Sequence, residues 1–215
     1  MTEYSARWRE TFGEPDAART AAEIRFLTEV LPLPEFERVL DVPCGTGRHL
    51  HALGSLGYRV MGADSDPAAA ARAGADAVVC DLRELDSLPS GYDAVINMWA
   101  SFGWFGPKEN ERILGSLARR LRRGGRLVLD VHNRAFFESR EGERELRPGI
   151  VERSTMIGDR RRCELDYGDG ERDVFEWQLY LPEELHALGL RQGLEPLLTV
   201  SSPERPAMQL VLARA

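Results

Sequence analysis

The sequence predicts an α/β fold built on a doubly wound, mostly parallel sheet, and three observations carry that prediction. Short apolar runs that read as strands recur between residues 38 and 131, each separated from the next by a single helix. Three of those runs end in an acid, at Asp41, Asp64 and Asp81. The first also leads into a glycine turn, Gly45-Thr46-Gly47, which opens a helix. A strand, a glycine turn and a helix in that order form a ligand site at the carboxyl edge of a parallel sheet.

Taken in order, Tyr4, Trp8 and Phe12 stand at i, i+4 and i+8 and predict one face of a short helix, either core or a lid over a pocket. A second helix spans about 16–31, with Pro15 before it and Pro32 ending it. The first strand is 38–42. The helix after the glycine turn runs from Arg48 to Leu56 and is stopped by Gly57. The second strand, 58–63, ends at Asp64, and Asp66-Pro67 supplies an N-cap and a first helical position. The third strand is 77–80 and the fourth 92–97. After an aromatic loop, Gly106-Pro107 opens a helix with an apolar stripe at Ile113, Leu114, Leu117 and Leu121. Gly124-Gly125 then turns the chain into a fifth strand, 126–131.

From 133 to 172 the chain is charge-dense and strand-like. Cys163, Leu165 and Tyr167 alternate with charged residues, 168–170 is a turn, and Phe175, Trp177 and Leu179 alternate on the return, which predicts an antiparallel hairpin with one dry face. Trp177 and Tyr180 read as sheet packing. A helix at 182–192 and strands at 194–200 and 208–213 complete the chain. No repeat and no long linker divides it, so a single domain over 1–215 is expected.

The 215 residues suffice for one well-buried domain. No apolar run approaches the roughly 20 residues of a membrane span, and the first residues do not read as a signal peptide. Cys44, Cys80 and Cys163 have no paired spacing, which suggests neither disulfides nor zinc and points to a reducing cytoplasm. The four histidines offer no recognised metal spacing. A net charge of −7 argues against nucleic acid, and the arginine clusters at 119–123 and 160–162 read as solvated faces or helix-end charge.

The acid before the glycine turn decides among cofactors. A loop built for pyrophosphate avoids a carboxylate beside its anion, whereas Asp41 suits a ligand carrying positive charge. S-adenosylmethionine has a sulfonium, an ammonium and no phosphate. Asp64 lies 19 positions after Gly45, close to the roughly 20 expected for a carboxylate on a ribose diol. A nicotinamide-dependent oxidoreductase on a similar fold is the rival, but its Gly-x-Gly-x-x-Gly pattern would need glycine where Leu50 stands. Cys44 has no histidine partner in its context and reads as a small loop residue.

With these residues in view, the chain resembles the class I S-adenosylmethionine-dependent methyltransferases, in a small-molecule branch. The resemblance is carried by VLDVPCGTGRH (39–49), the acid of GADSDP, the acid of CDL, YDAVIN (92–97) and LRRGGRLVLDVHN (121–133). It covers about 38–133 well. Pro43 departs from the family's usual glycine. The resemblance implies a Rossmann-like seven-stranded sheet with a reversed last strand, plus a small antiparallel insertion at 134–180 on the acceptor side and a helical N-terminal lid over 1–31. It also implies that Asp41 and the loop Pro43, Cys44, Gly45, Thr46 and Gly47 hold the methionine portion. Asp64, with Ser65 beside it, would take the ribose, and Asp81 with Leu82 the adenine. Asn97, Met98 and Trp99 would floor the site near the methyl, and His49 would face the cofactor.

Transfer from a sulfonium needs alignment and dryness more than acid–base work. Aromatic faces suit the cation, and Trp8, Trp99, Phe102, Trp104 and Phe105 are candidates. If a base is needed, His132 beyond the fifth strand is the best placed. The Pro-Pro-aromatic signature of amino-methylating enzymes of DNA bases is absent after Asn97. The expected reaction is therefore methyl transfer to a nitrogen or oxygen of a small molecule, with no membrane partner. RNA or protein methylation, a cofactor-binding protein without turnover and the oxidoreductase stand as alternatives.

Overall fold

A computed structural model describes residues 5–13 and 15–215. Tyr4, the first member of the predicted aromatic face, lies outside the described residues. Its partners Trp8 and Phe12 fall on α1 (Ala6–Phe12), with ring centroids 5.4 Å apart. Helix α2 (Ala17–Val30) begins where Asp16 accepts the Arg19 backbone N–H.

From there strands and helices alternate as predicted: β1 (Arg38–Asp41), α3 (Arg48–Ser55), β2 (Arg59–Asp64), α4 (Pro67–Ala73), β3 (Ala77–Val79), a 3₁₀ turn (Leu82–Ser87), β4 (Tyr92–Asn97), α5 (Pro107–Arg120) and β5 (Leu121–His132). Asp66 caps α4, with Pro67 in its first turn. Strand β5 starts earlier than predicted: Leu121, the last member of the apolar stripe, already belongs to the strand, and Gly124-Gly125 lies within it. The register against β4 shifts between Tyr92 and Ala94, so the glycines accommodate an irregularity rather than a plain turn.

The main sheet has seven strands in the order β10-β11-β5-β4-β1-β2-β3, with β10 (Leu194–Val200) and β11 (Ala207–Arg214) at one end. Strand β11 is antiparallel to both neighbours, and β1 to β5 pair in parallel. The strand order reverses between β1 and β4, which opens a crevice at their carboxyl ends. Alternate residues bury the two faces. Leu40, Val95 and Leu129 pack with Ile113 and Leu117 of α5 and Leu185 of α7 (Pro182–Arg191). Val39, Ile96 and Val128 pack with Leu27 of α2 and Leu53 of α3. No described helix is long and apolar enough to cross a membrane.

Between β5 and α7 stands a separate four-stranded antiparallel sheet, β6-β7-β8-β9, following the short helix α6 (Arg134–Glu138). The predicted hairpin is β8 (Arg160–Asp166) with β9 (Arg172–Gln178), and Cys163 faces Phe175. The other hairpin, β6 (Gly142–Arg147) with β7 (Ile150–Ile157), was hidden by composition. Strand β6 is exposed almost throughout, and β7 turns Glu152 and Ser154 inward, where Arg161 pairs with the first and donates to the second at 2.8 Å. Apolar alternation is therefore missing from a genuine strand. Trp177 lies in this sheet's core and Tyr180 in the main core, both as packing residues.

Candidate active site

The site grows from the ends of β1 and β2. The Asp64 carboxylate accepts the Gly45 N–H at 2.8 Å through one oxygen and the Asp66 N–H at 2.9 Å through the other. The acid at the end of the second strand thereby locks the turn that follows the first. Gly47, at φ +89°, opens α3, and a Cβ there would lie 2.8 Å from the His51 ring and 3.0 Å from Ala73, so the position demands glycine.

A cavity of about 620 Å³ runs along this edge. Of the residues expected at the cofactor, Pro43, Cys44, Gly45, Thr46, His49, Asp64, Ser65, Asp81, Leu82, Met98 and Trp99 line it. Gly47, Asp41 and Asn97 do not. Gly47 acts through backbone shape. Asn97 is buried, donating to the Val42 carbonyl at 2.7 Å, and its own side-chain oxygen has no partner among the described residues. Asp41 is wholly buried beneath the loop, and neither of its oxygens accepts a hydrogen bond of normal geometry among the described residues. Burial, aided by nearby Asp64, pushes the Asp41 carboxyl up to about 6 despite His49 and Arg48.

Behind the cavity lies a charged cluster that the sequence did not disclose. Glu23 of α2, itself buried, accepts from Arg19 at 3.0 Å, from Arg48, and pairs with His49 at 2.9 Å. Burial alone would raise its carboxyl, but the bonds from His49, Arg48 and Arg19 hold it at about 2. One signal was available: Glu23 stands four residues before Leu27, on the buried face of its helix. Asp81 lines the cavity, yet its carboxylate also caps the 3₁₀ turn and holds Arg83 at 2.9 and 2.7 Å. Cys44, among Asp41 and Asp64, has its thiol pushed up to about 12, chiefly by burial, which disfavours the thiolate a nucleophile needs.

The remaining wall comes from α1 and the 98–104 loop: Trp8, Met98, Trp99, Ser101 and Trp104. Two of the expected aromatics are corrected. Phe102 is buried in the main core against Tyr180, 5.7 Å between centroids, and Phe105 sits under the Arg83 guanidinium. His132 is also absent from the lining. It is wedged between Phe137 and Trp177, 5.3 and 5.2 Å between centroids, and burial together with Arg161 pushes its imidazole down to about 3. It is neutral at pH 7 but too weak a base to accept a proton readily.

A family model described as a methyltransferase domain matches residues 39–125. No curated protein matches the chain in sequence. Among solved structures, the sugar N-methyltransferase KedS8 from Streptoalloteichus sp is 26% identical, with a TM-score of 0.75 over 100% of this chain and 94% of that one. The SAM-bound amino pentose methyltransferase CalS10 from Micromonospora echinaspora is 24% identical, with a TM-score of 0.77 over 100% and 99%. The CcbJ methyltransferase from Streptomyces caelestis is 20% identical, with a TM-score of 0.76 over 95% and 98%. Sheet order with its reversed last strand, the glycine turn and the matched methyltransferase domain over 39–125 give this chain the Rossmann-like methyltransferase fold.

Proposed function

We propose that the chain transfers the methyl group of S-adenosylmethionine to the nitrogen of a small-molecule amine. The observation that carries this reading is one cavity with two kinds of wall. Its cofactor end is edged by the 43–47 loop, Asp64 and Asp81, near Asp41, which has no side-chain partner among the described residues, and its other wall is three indoles with Met98 and Ser101 and no carboxylate or histidine among them. The residues fit the cofactor: Asp41 supplies a buried carboxylate with no side-chain partner among the described residues, and Asp64 and Asp81 can each accept a hydroxyl or amino hydrogen. The bound cofactor supplies a methyl group activated by its sulfonium.

The chain's own residues align and dry the site. Trp8, Trp99 and Trp104 exclude water and favour cationic character between donor and acceptor. Because the indole wall carries no base, an amine arriving unprotonated suits it better than a hydroxyl that must first be ionised. The names of two similar structures, an amino pentose methyltransferase and a sugar N-methyltransferase, support the same choice. In this reading α1 forms a lid, whereas α2, expected as part of it, packs against the main sheet and lines no part of the cavity, and the 134–180 sheet roofs the acceptor.

Calorimetric titration with S-adenosylhomocysteine, against NADH as control, tests the cofactor. Transfer of labelled methyl to a panel of small amines and matched alcohols tests the acceptor. Binding of S-adenosylhomocysteine, with label on amines only, is expected. A response to NADH alone, or label on alcohols alone, overturns the proposal.

A further inference from the structure

Trp99 and Ala100 stand just past β4, after Met98, with φ of +64° and +56°, and they are the only residues other than glycine with positive φ among those described. L-residues resist this conformation, so something must hold both. The holder is one residue of the neighbouring strand. The Asp130 carboxylate, 4% exposed, accepts the Trp99 N–H at 3.1 Å, and its main-chain carbonyl accepts the Ala100 N–H at 2.8 Å. The turn so formed presents the Trp99 indole to the cavity, with the Arg19 and Arg48 guanidiniums 5.5 and 5.9 Å from its ring and Trp8 edge-on at 6.2 Å. Asp130 does not itself line the cavity.

We propose that Asp130 is a positioning residue, which fixes the Trp99 indole in the cavity wall by gripping two consecutive left-handed residues. The requirement is for an acceptor atom at that point, not for a charge. Asparagine should therefore replace aspartate, and alanine should not. Glycine adopts positive φ freely, so Ala100→Gly should let the turn form again without the side-chain grip.

Near-UV circular dichroism reads the indole's surroundings, and titration with S-adenosylhomocysteine reads the cavity; only the second rests on the methyltransferase reading. Asp130→Ala is expected to change the near-UV spectrum and weaken S-adenosylhomocysteine roughly tenfold, the worth of about one hydrogen bond. Asp130→Asn is expected to retain both signals, and Asp130→Ala with Ala100→Gly to recover most of them. In a Trp99→Phe background the spectral effect of Asp130→Ala should vanish. The proposal is overturned if Asp130→Ala leaves the spectrum and affinity unchanged. It is equally overturned if its effects persist undiminished with Ala100→Gly and without Trp99. If the unaltered protein does not bind S-adenosylhomocysteine, the methyltransferase reading fails while the spectral series still decides the role of Asp130.

Discussion

Replacing Asp41 by asparagine should make the ligand-free protein more stable at neutral pH while weakening its hold on the cofactor. The Asp41 carboxyl rises from 3.8 to about 6 on folding, so between those values the native state keeps a proton that the unfolded chain has released. Stability must then fall as pH rises through this window and level off above it. About two units at 1.36 kcal/mol each amount to about 3 kcal/mol, most of it lost between pH 4 and 7. Asparagine is a near-isostere of the protonated acid and carries no such dependence.

The assay is a pair of thermal melts across pH 4 to 8 for the two proteins. They should coincide near pH 4 and separate as pH rises, by roughly 6–12 °C at pH 7 for a chain of this size. Asp130, also pushed up to about 6 by burial, contributes equally to both proteins and cancels in the difference. With S-adenosylhomocysteine present the order should invert, because the ammonium group favours the ionised acid. Its affinity for the unaltered protein should tighten as pH rises through about 6, and the variant should show no such trend. Parallel melting curves across the range, or a variant that binds S-adenosylhomocysteine as well as the parent at pH 7.5, would refute the reasoning.

Three further outcomes are expected. His132→Gln should leave the pH profile of methyl transfer between pH 6 and 9 unchanged and the rate within about threefold, since a base held near 3 has no titration there; loss of a limb of the profile would restore His132 as the base. Gly103→Ala should cost more than about 2 kcal/mol in urea unfolding, because φ is +113° and a Cβ would stand 2.5 Å from the Gln178 carbonyl oxygen. Glu23→Ala should cost about 3 kcal/mol at pH 7 by stranding Arg48 and His49. That cost should fade as pH drops from 4.5 toward 2, where the native Glu23 itself becomes protonated; urea unfolding at several pH values reads both.

The cofactor end was legible because its chemistry is local. A strand, a carboxylate, a glycine turn and an N-cap all lie within ten residues of one another, and each has a backbone reason that one sequence displays. The opposite wall was only half legible: the sequence offered five aromatics, but the fold decided which face the cavity. Phe102 turned into the core against Tyr180, 78 positions later, while Trp104 turned out against Trp177. His132 failed for the same reason. Its place at a strand end was read correctly, but the rings of Phe137 and Trp177 that surround it come from elements the local pattern could not position. Strand β7 lay within the strand-like 133–172 but was not delimited there, because it buries Glu152 where a hydrophobic residue was the expected sign.

The acids on the α2–α3 face of the sheet show what this fold gives up to bind a cation. Asp41 and Asp130 share a face with Val39 and Val128, where an apolar side chain would be cheaper, and both are held above their ordinary carboxyl range. Arg19, Arg48 and His49 gather on the third acid, Glu23, and leave Asp41 without a side-chain partner among the described residues. Such an arrangement makes little sense as a device for stability alone, because the neutralising groups lie within reach and are committed elsewhere. It does make sense if Asp41 keeps its charge for a ligand while Glu23 restrains the cations that would otherwise occupy it. Removing Glu23 should then free Arg48 to approach Asp41, lower the Asp41 carboxyl, and weaken S-adenosylhomocysteine by more than the lost stability explains. If Glu23→Gln, measured where it is fully folded, binds S-adenosylhomocysteine as tightly as the parent, the division of charge between the two acids has no part in binding.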